Sequence, residues 1–377
     1  MGRPGRCRLP LAAVVASAVV ASVTLSPTSV MAACDNTGAA QTLGGCIRGV
    51  TNLTTSTKPG AASLNPPSEY NDDGKNDRTI IDLTEAIRLN PKDVGALLRR
   101  GAAYSDKGDF NSAIADYNTA ITLDPSNTDA YVARGTAYRE EGDINRAIAD
   151  YKLVIMLDPT NAPAYNNRGV AYAAKGDFDD ALADFDQAIA LDAKYASAYY
   201  NRGRCYYEKG DLDGAISEYT RAIKVDPSFA DAFDSRGLRY SDKGDIDQAI
   251  ADFSQAINLK PRNAEAYSNR CWAGLVAGGK LQEALSDCSE SLRIRPSDPD
   301  TLNSRGLLYL KTDKAALAIA DFNAAIEVDA KRATSIYGRG LAKLKRGDVA
   351  GADRDMEAAR AIDPGVSQEL AIYSIKK

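Results

Sequence analysis

The chain has 377 residues, of which 44% are hydrophobic and 26% charged, and its formal net charge is −5. These values are ordinary for a folded soluble protein, and the acidic balance argues against general nucleic-acid binding. The chain contains no histidine, and this removes the usual general base and the imidazole metal ligands, so we expect neither a catalytic site nor a metal or cofactor.

The first 33 residues have the layout of a secretory signal peptide. Three arginines precede an apolar stretch at 11–25, and Ala32 and Ala33 follow a polar break. This pattern predicts cleavage after one of these alanines and an exported protein, periplasmic or secreted, with no integral membrane span after cleavage. Two alternatives stay open: an uncleaved membrane anchor, and a lipid attached to Cys34, because residues 31–34 resemble a lipoprotein cleavage box.

The next two segments lead into the regular part of the chain. Residues 34–77 are rich in Gly, Ser, Thr, Asn and Pro and show no sustained apolar periodicity, which predicts a flexible extension. Helical periodicity starts at Arg78, and residues 78–93 are expected to form the single helix of an incomplete repeat.

A period of 34 residues governs the chain from residue 94 to residue 364. It is marked by five equally spaced glycines: Gly101, Gly135, Gly169, Gly203 and Gly237. Numbering each unit so that this glycine is position 8 yields eight units, each with two apolar stripes of helical spacing. Gly-Asp pairs such as Gly108-Asp109 separate the two stripes. The glycine can end one helix and the aspartate can cap the next, so each unit is predicted to be a helical hairpin.

The unit resembles a tetratricopeptide repeat, with small residues at positions 8, 20 and 27, large or aromatic residues at 4, 11 and 24, and proline near 32. This resemblance covers roughly residues 78–364. It implies an all-α, right-handed α-solenoid of about eight two-helix repeats. After it, Val366, Leu370 and Tyr373 form a short amphipathic face, which predicts a capping helix in residues 365–377. The resemblance also implies a non-catalytic scaffold that binds a protein, peptide or helix segment in a concave groove. The alternatives are an accessory enzyme of envelope glycan or peptide metabolism that uses carboxylates, and a self-associating structural subunit.

Position 7 departs from the family because it carries an arginine in every unit, while position 23 always carries an acid. The arginines include Arg100, Arg134, Arg168, Arg202 and Arg236, and the acids include Asp116, Asp150, Asp184, Glu218 and Asp252. In an antiparallel hairpin that turns near positions 15 and 16, positions 7 and 23 lie nearly opposite. We therefore predict a ladder of structural ion pairs, formed within a unit or between neighbours. The alternative is that the arginines line an anion-binding groove.

The sixth unit breaks the pattern with two cysteines. Cys271 takes the glycine position and Cys288 takes the aromatic position, which faces it across the hairpin. In an oxidising compartment the two could form a disulfide, whereas two reduced core cysteines are the alternative. Cys34 and Cys46 are a second candidate pair, and Cys205 is left as an odd thiol.

The resemblance also indicates where a partner would bind, because positions 2, 5, 9 and 12 of each first helix line the groove in the family. Unit four places Tyr200, Arg204 and Tyr207 on one helical face. Further along, these positions carry Leu238, Trp272, Leu275, Leu307, Leu310, Tyr337 and Leu341. They predict an apolar half-groove, although several leucines could instead pack against neighbouring units. Position 5 never carries lysine, so the family's lysine clamp for a chaperone's terminal carboxylates is not expected. The sequence does not identify the partner.

Overall fold

The computed structural model describes residues 73–371, in which eighteen helices and no strand are found. The predicted signal peptide, the extension up to residue 72, Cys34, Cys46 and the last six residues lie outside this range. Helix α1 spans Asp73–Leu89. The hairpins of units one to four are α2 (Val94–Asp106) with α3 (Phe110–Leu123), α4 (Thr128–Glu141) with α5 (Ile144–Leu157), α6 (Ala162–Lys175) with α7 (Phe178–Leu191), and α8 (Ala196–Glu208) with α9 (Leu212–Val225).

Units five to eight continue the same alternation. Their hairpins are α10 (Ala230–Lys243) with α11 (Ile246–Leu259), α12 (Ala264–Ala277) with α13 (Leu281–Ile294), α14 (Pro299–Lys311) with α15 (Ala315–Val328), and α16 (Ala333–Lys345) with α17 (Val349–Ile362). The short helix α18 spans Val366–Ala371. Each helix packs against the next along the chain, and the first helices of neighbouring units also contact each other. The residues 73–371 thus form an all-α array of stacked hairpins.

Helix α1 begins at Asp73, five residues before the start that apolar periodicity predicted. The extra turn is polar, so periodicity could not detect it. An ion pair between Asp77 and Lys107 ties this turn to the end of α2. Acidic residues are also favourable near a helix N-terminus, where the free amides carry partial positive charge.

The turn inside a hairpin is made by the glycine and aspartate that the sequence pattern singled out. Gly142 ends α4 with φ 94°, a left-handed conformation that suits glycine. The side chain of Asp143 then accepts a hydrogen bond from the backbone N–H of Arg146 at 3.0 Å. One free amide at the start of α5 is thereby satisfied, so the chain reverses direction within two residues.

The glycine at position 8 lets an aromatic ring lie directly on the backbone of the first helix. In unit three a Cβ on Gly169 would stand 2.8 Å from the ring of Phe185, which is 1% exposed. No real Cβ atom tolerates such a distance, so any larger residue would have to displace the ring. The close contact between the two helices of a unit therefore depends on the absence of a side chain here.

In the sixth unit a covalent bond replaces the contact between glycine and ring. Cys271 and Cys288 form a disulfide with a Cα–Cα distance of 5.3 Å, and both are fully buried. The disulfide stands at the positions where units one to five and unit seven place a ring on a glycine, and unit eight places Met356 on Gly340. Repeat positions 8 and 24 have thus changed together in this unit. A disulfide holds the two helices of the hairpin close, in place of the contact between a glycine and a ring.

Each position-7 arginine is bonded to the acid of its own unit. Arg168, for example, donates from Nε and Nη2 to the two carboxylate oxygens of Asp184, at 2.8 and 2.7 Å. The same two nitrogens bond the position-23 acid in the other seven units. Asp184 is only 5% exposed, so the pairing satisfies a carboxylate that water cannot reach.

The third nitrogen of most of these arginines reaches back to the preceding unit. Nη1 of Arg134 donates to Asn118 Oδ1 at 2.6 Å, and Nη1 of Arg202 donates to Asp186 Oδ1 at 2.6 Å. These acceptors stand at position 25 of the preceding unit. Arg168 makes no such bond, since its neighbour offers Lys152, which has no acceptor. The carboxylate bonds thus hold one hairpin together, and the Nη1 bonds link successive hairpins.

The last helix closes the C-terminal end of the described array. Val366 is fully buried and Leu370 is 1% exposed, and α18 packs against α16 and α17. Without this helix, the apolar side chains of unit eight would face water.

We predict that reduction of the disulfide lowers the stability of the array. The bond joins residues separated by 17 positions, and closing a loop of this size stabilises a protein by about 3 kcal/mol. Urea unfolding of the oxidised protein should therefore shift to a lower midpoint when a reductant is added. The double variant Cys271→Ala, Cys288→Ala should not respond to the reductant. Equal midpoints for the oxidised and reduced wild type would contradict the prediction.

A second prediction concerns the ion pair of unit three. Arg168→Met leaves Asp184 buried without its cation, and we expect the free energy of unfolding to fall by about 3–5 kcal/mol. Adding Asp184→Leu should recover most of this loss, because the uncompensated charge is then gone. The control is Arg88→Met, which breaks an exposed pair with Glu85 and should leave urea unfolding nearly unchanged. An Arg168→Met variant as stable as wild type would show that the pair contributes little.

Candidate functional site

The apolar half-groove expected at the C-terminal end does not exist as an open surface. Its members are between 0 and 6% exposed and belong to one core cluster: Leu275, Leu307, Leu310, Tyr337 and Leu341. The expectation of an open apolar groove at these positions is thus contradicted by their burial. Their large side chains fill the space between the first helices of units six to eight, and Lys311 Nζ donates to the carbonyl of Leu275 across this contact at 3.2 Å.

Two other groove residues, Leu238 and Trp272, keep part of their surface. Both are half-buried and pack against the cluster that contains Phe253, between units five and six. They lie at position 9 of consecutive first helices. Leu238 and Trp272 therefore form a partly exposed apolar edge, next to the buried cluster between the first helices of units six to eight.

The aromatic residues of unit four differ in accessibility. Tyr200 is half-buried, and its ring centroid lies 5.6 Å from that of Tyr219 and 5.0 Å from that of Phe229. Its hydroxyl lies 3.3 Å from Ser235 Oγ in the next unit. Tyr207, by contrast, is 38% exposed. Tyr200 thus forms part of the floor, whereas Tyr207 presents a ring at the surface.

Arg204 is exposed and lies on the same face of α8 as these two tyrosines. No ion pair of its guanidinium is found within residues 73–371. The position-7 arginine two residues earlier, Arg202, is bonded to acids on both sides. Two arginines of one helix therefore have different roles, because one holds the array together and the other faces solvent.

The structure adds a residue that the groove rule missed, Arg239 at position 10 of unit five. In the other units this position is Ala103, Ala137, Ala171, Cys205, Ala273, Leu308 and Ala342. Arg239 is only 9% exposed, and its guanidinium carbon lies 3.5 Å from the ring centroid of Tyr207. Its Nε lies 3.1 Å from a carboxylate oxygen of Asp242, but out of line for a hydrogen bond. The sequence alone could have singled out this residue, because position 10 carries an arginine in unit five and an apolar residue in the other seven units.

The hydroxyl of Tyr219 opens toward the same place. At the equivalent position, Tyr117 OH lies 3.4 Å from Ser105 Oγ, and Tyr151 OH lies 3.1 Å from Thr136 Oγ1. In unit four, Arg204 and Tyr207 replace those hydroxyl residues, and no hydrogen bond to Tyr219 OH is found in the described part of the chain. Burial raises the pKa of Tyr219, while the charges of Arg239 and Arg204 act in the opposite direction. From the geometry of units one and two, this hydroxyl is expected beside Arg204 and Tyr207.

Asp234 is the single acid at position 5 of the eight units. Its carboxylate accepts a hydrogen bond from Asn269 Nδ2 at 3.1 Å and has no ion-pair partner among the described residues. Burial raises the pKa of Asp234 to about 6, Glu265 and Asp231 add to the increase, and Arg239 opposes it. This carboxylate is thus costly to ionise where it stands.

We call this surface the central site. It comprises Tyr200, Arg204, Tyr207, Tyr219, Asp234, Leu238, Arg239, Asp242 and Trp272. The exposed ring of Tyr207 and the exposed guanidinium group of Arg204 suit binding more than chemistry. Within residues 73–371 no cluster of three potential metal ligands occurs. The neighbouring thiol of Cys205 is buried, and burial raises its pKa to about 11, so little thiolate forms near neutral pH.

The repeated hairpins, with a ring against a glycine and an arginine against an acid, define a helical-repeat protein. Family models described as tetratricopeptide repeat match residues 166–232 and 299–332. A model described as TPR repeat matches residues 101–138, 135–176 and 237–270. The chain belongs to the tetratricopeptide repeat family. Proteins of this family bind protein partners, so the chain is a protein-interaction scaffold.

Solved structures of other repeat proteins are similar to this array. The chain is 18% identical to a chain of the APC/C hetero-tetramer Cut9-Hcn1, over 79% of this chain and 58% of that one, with a TM-score of 0.52. It is 35% identical to MamA over 44% of this chain and 96% of that one, with a TM-score of 0.38. YrrB, a TPR protein with an unusual peptide-binding site, is 25% identical over 49% and 95%, with a TM-score of 0.36. The first likeness supports the fold. Comparison with curated proteins finds no match.

We predict that Asp234→Asn stabilises the protein in a pH-dependent way. The pKa of Asp234 is raised from 3.8 to about 6 on folding, so the folded state binds more protons than the unfolded state between these values. Wild-type stability therefore falls as pH rises through this window and stays lower above it. At pH 7 the variant should be more stable by roughly 1–3 kcal/mol, and the difference should vanish near pH 4.

The chain itself offers a model for this substitution, because Asn201 Nδ2 donates to Asn166 Oδ1 at 3.0 Å in the equivalent positions. Urea unfolding of wild type and variant between pH 4 and pH 7 measures the effect. The control is Asp231→Asn, which removes a neighbouring acid that pairs with Lys260. A gain in stability that does not change with pH would argue against a raised pKa for the carboxyl group of Asp234.

Proposed function

We propose that the protein is an exported, non-catalytic scaffold whose central site binds a segment of a partner protein. The observation that carries this proposal is the position of Arg239, a buried arginine stacked on the exposed ring of Tyr207. Elsewhere in the array, position 10 is filled by a small or aliphatic side chain. The repeat can therefore be built without this arginine, and a binding role accounts for its presence.

The residue types of the central site are those that dominate protein interfaces. Tyrosine, tryptophan and arginine supply most of the binding energy in interfaces studied by alanine substitution. Here Tyr207 and Arg239 hold each other in place, and Trp272 is packed against its neighbours. Side chains already held in one conformation lose little entropy when a partner binds. The surface is therefore suited to a short peptide or helix segment.

The proposed absence of catalysis rests on how the acids of the array are used. The position-23 carboxylates are buried and bonded to arginines, as in Asp184 with Arg168. Carboxylates engaged in this way cannot exchange protons with a substrate. This disfavours the alternative of an accessory enzyme that works with carboxylates alone.

The proposed export to the periplasm or the cell exterior has two supports. One is the signal-peptide pattern of residues 1–33. The other is the disulfide between Cys271 and Cys288, since such bonds persist mainly in oxidising compartments. None of the helices in residues 73–371 has the length and apolar composition of a membrane span.

A pull-down from envelope extracts tests the proposed binding. The bait is the purified protein, compared with the double variant Tyr207→Ala, Trp272→Ala. We expect partners held by wild type to be lost by the variant, with at least about tenfold lower recovery, since two interface anchors are removed. The matched control is Met156→Ala, which changes a side chain that is 76% exposed on α5, outside the central site. If the double variant recovers the same partners as wild type and the control, the central site is not the binding surface.

A further inference from the structure

We propose that the central site binds the carboxylate of an acidic partner segment between Arg239, Arg204 and the hydroxyl of Tyr219. This inference rests on the proposed function, because it names the chemistry of the partner at the same site. The donors come from positions 9, 10 and 24 of the repeat, so the arrangement differs from the family's clamp of lysines at positions 2 and 5. It also differs from the position-7 arginines, which are bonded to acids of the array.

The first argument is the fixed orientation of Arg239. Its stem is buried, the ring of Tyr207 covers one face of the guanidinium at 3.5 Å, and Asp242 lies beside Nε at 3.1 Å. No hydrogen bond from its Nη1 or Nη2 is found within the described residues, and neither nitrogen is among the deeply buried unpaired atoms. These nitrogens therefore remain as accessible donors on a guanidinium whose plane is already set. Such an edge matches the two oxygens of a carboxylate.

The second argument is the convergence of further donors on the same place. Arg204 is exposed and unpaired within residues 73–371, and it stands one turn before Tyr207 on α8. In units one and two the equivalent tyrosine hydroxyl lies beside the side chain at position 12 or position 9. In unit four these positions carry Tyr207 and Arg204, and the ring of Tyr207 is stacked against Arg239. The repeat geometry thus brings two guanidinium groups and one hydroxyl donor to the neighbourhood of the Tyr207 ring. An anion placed there would satisfy a buried hydroxyl and two guanidinium groups at once.

The neighbouring acids set the limits of this site. Asp242 neutralises part of the charge of Arg239, and Asp234 adds a carboxyl group on the same helix. Asp234 is faced by Asn269 and Glu265 of α12 and by Asp231 and Arg239 of α10. When Asp234 is ionised, it opposes a second carboxylate nearby. Binding of an acidic peptide should therefore strengthen as pH falls from 7 toward 5.5, because Asp234 takes up a proton while the peptide's carboxylates stay ionised.

The rings around the donors indicate what accompanies the carboxylate. Tyr200, Tyr207 and Trp272 provide apolar surface within the central site. A carboxylate next to an aliphatic or aromatic residue would use both kinds of contact. The carboxylate could belong to an Asp or Glu side chain or to the end of a partner chain, and the chemistry at the site is the same for both.

The test uses three synthetic peptides without tryptophan that share the same leucine and phenylalanine residues. One carries two glutamates and an amidated C-terminus, the second carries glutamines and a free C-terminal carboxylate, and the third carries glutamines and an amidated C-terminus. Trp272 is the single tryptophan of the chain and lies in the central site, so its fluorescence reports binding. We expect one or both carboxylate peptides to bind at least about tenfold more tightly than the neutral one. Equal affinity for all three, or no binding of either carboxylate peptide at millimolar concentration, overturns the inference.

Two arginine variants separate the inference from the proposed function. Arg204→Gln changes an exposed side chain and should fold normally, and we expect it to weaken the carboxylate peptides about tenfold while leaving the neutral peptide unchanged. Arg239→Gln should do the same and more strongly, provided circular dichroism shows wild-type helicity. The control is Arg221→Gln, an exposed arginine on α9 outside the site. Should Arg204→Gln bind all peptides like wild type while Tyr207→Ala, Trp272→Ala loses its protein partners, the carboxylate inference fails and the proposed function stands.

Discussion

The array depends on one interaction, the hydrogen-bonded ion pair between an arginine of each first helix and an acid of the second helix. The acid is buried, so it is tolerable only when its oxygens are bonded. The guanidinium has a planar fork that meets both oxygens and still leaves Nη1 to reach the preceding unit. Because Arg134 bonds Asp150 and Asn118 together, one side chain sets the closure of its hairpin and the distance to the neighbour.

The same bonding argues against a binding role for most of the regular charges. A guanidinium already bonded on two edges offers few donors to a ligand, and a buried carboxylate offers no proton to a substrate. The position-7 arginines thus stabilise the scaffold, and the proposed binding uses residues that the repeat does not require. The stretch from unit four to unit six contains several of these. It also includes the change from a ring on glycine to the disulfide between Cys271 and Cys288.

Two residues of the central site, Arg239 and Asp234, place charged groups where burial disfavours the charge. Arg239 replaces a small or aliphatic residue, and Asp234 is a carboxyl group with its pKa raised to about 6 by burial. The repeat does not require either residue, since unit three has Ala171 and Asn166 at the equivalent positions. Proteins commonly give up stability at binding surfaces in this way. In units six to eight, by contrast, large apolar residues fill the groove and pack into the core.

Much of the fold could be read from the sequence because its causes are local or repeat at a fixed period. The 34-residue period predicted the hairpins. Matching positions at equal distance from the turn then paired Arg168 with Asp184 and placed Cys271 opposite Cys288. The repeat period does not determine which side chains become buried between the first helices of neighbouring units. Leu307 and Leu341 were therefore assigned to an open groove, whereas both are buried. Their fate depends on how closely neighbouring helices approach, which every side chain in the interface decides. The stacking of Arg239 on Tyr207 likewise joins two units, and only the tertiary structure could bring them together.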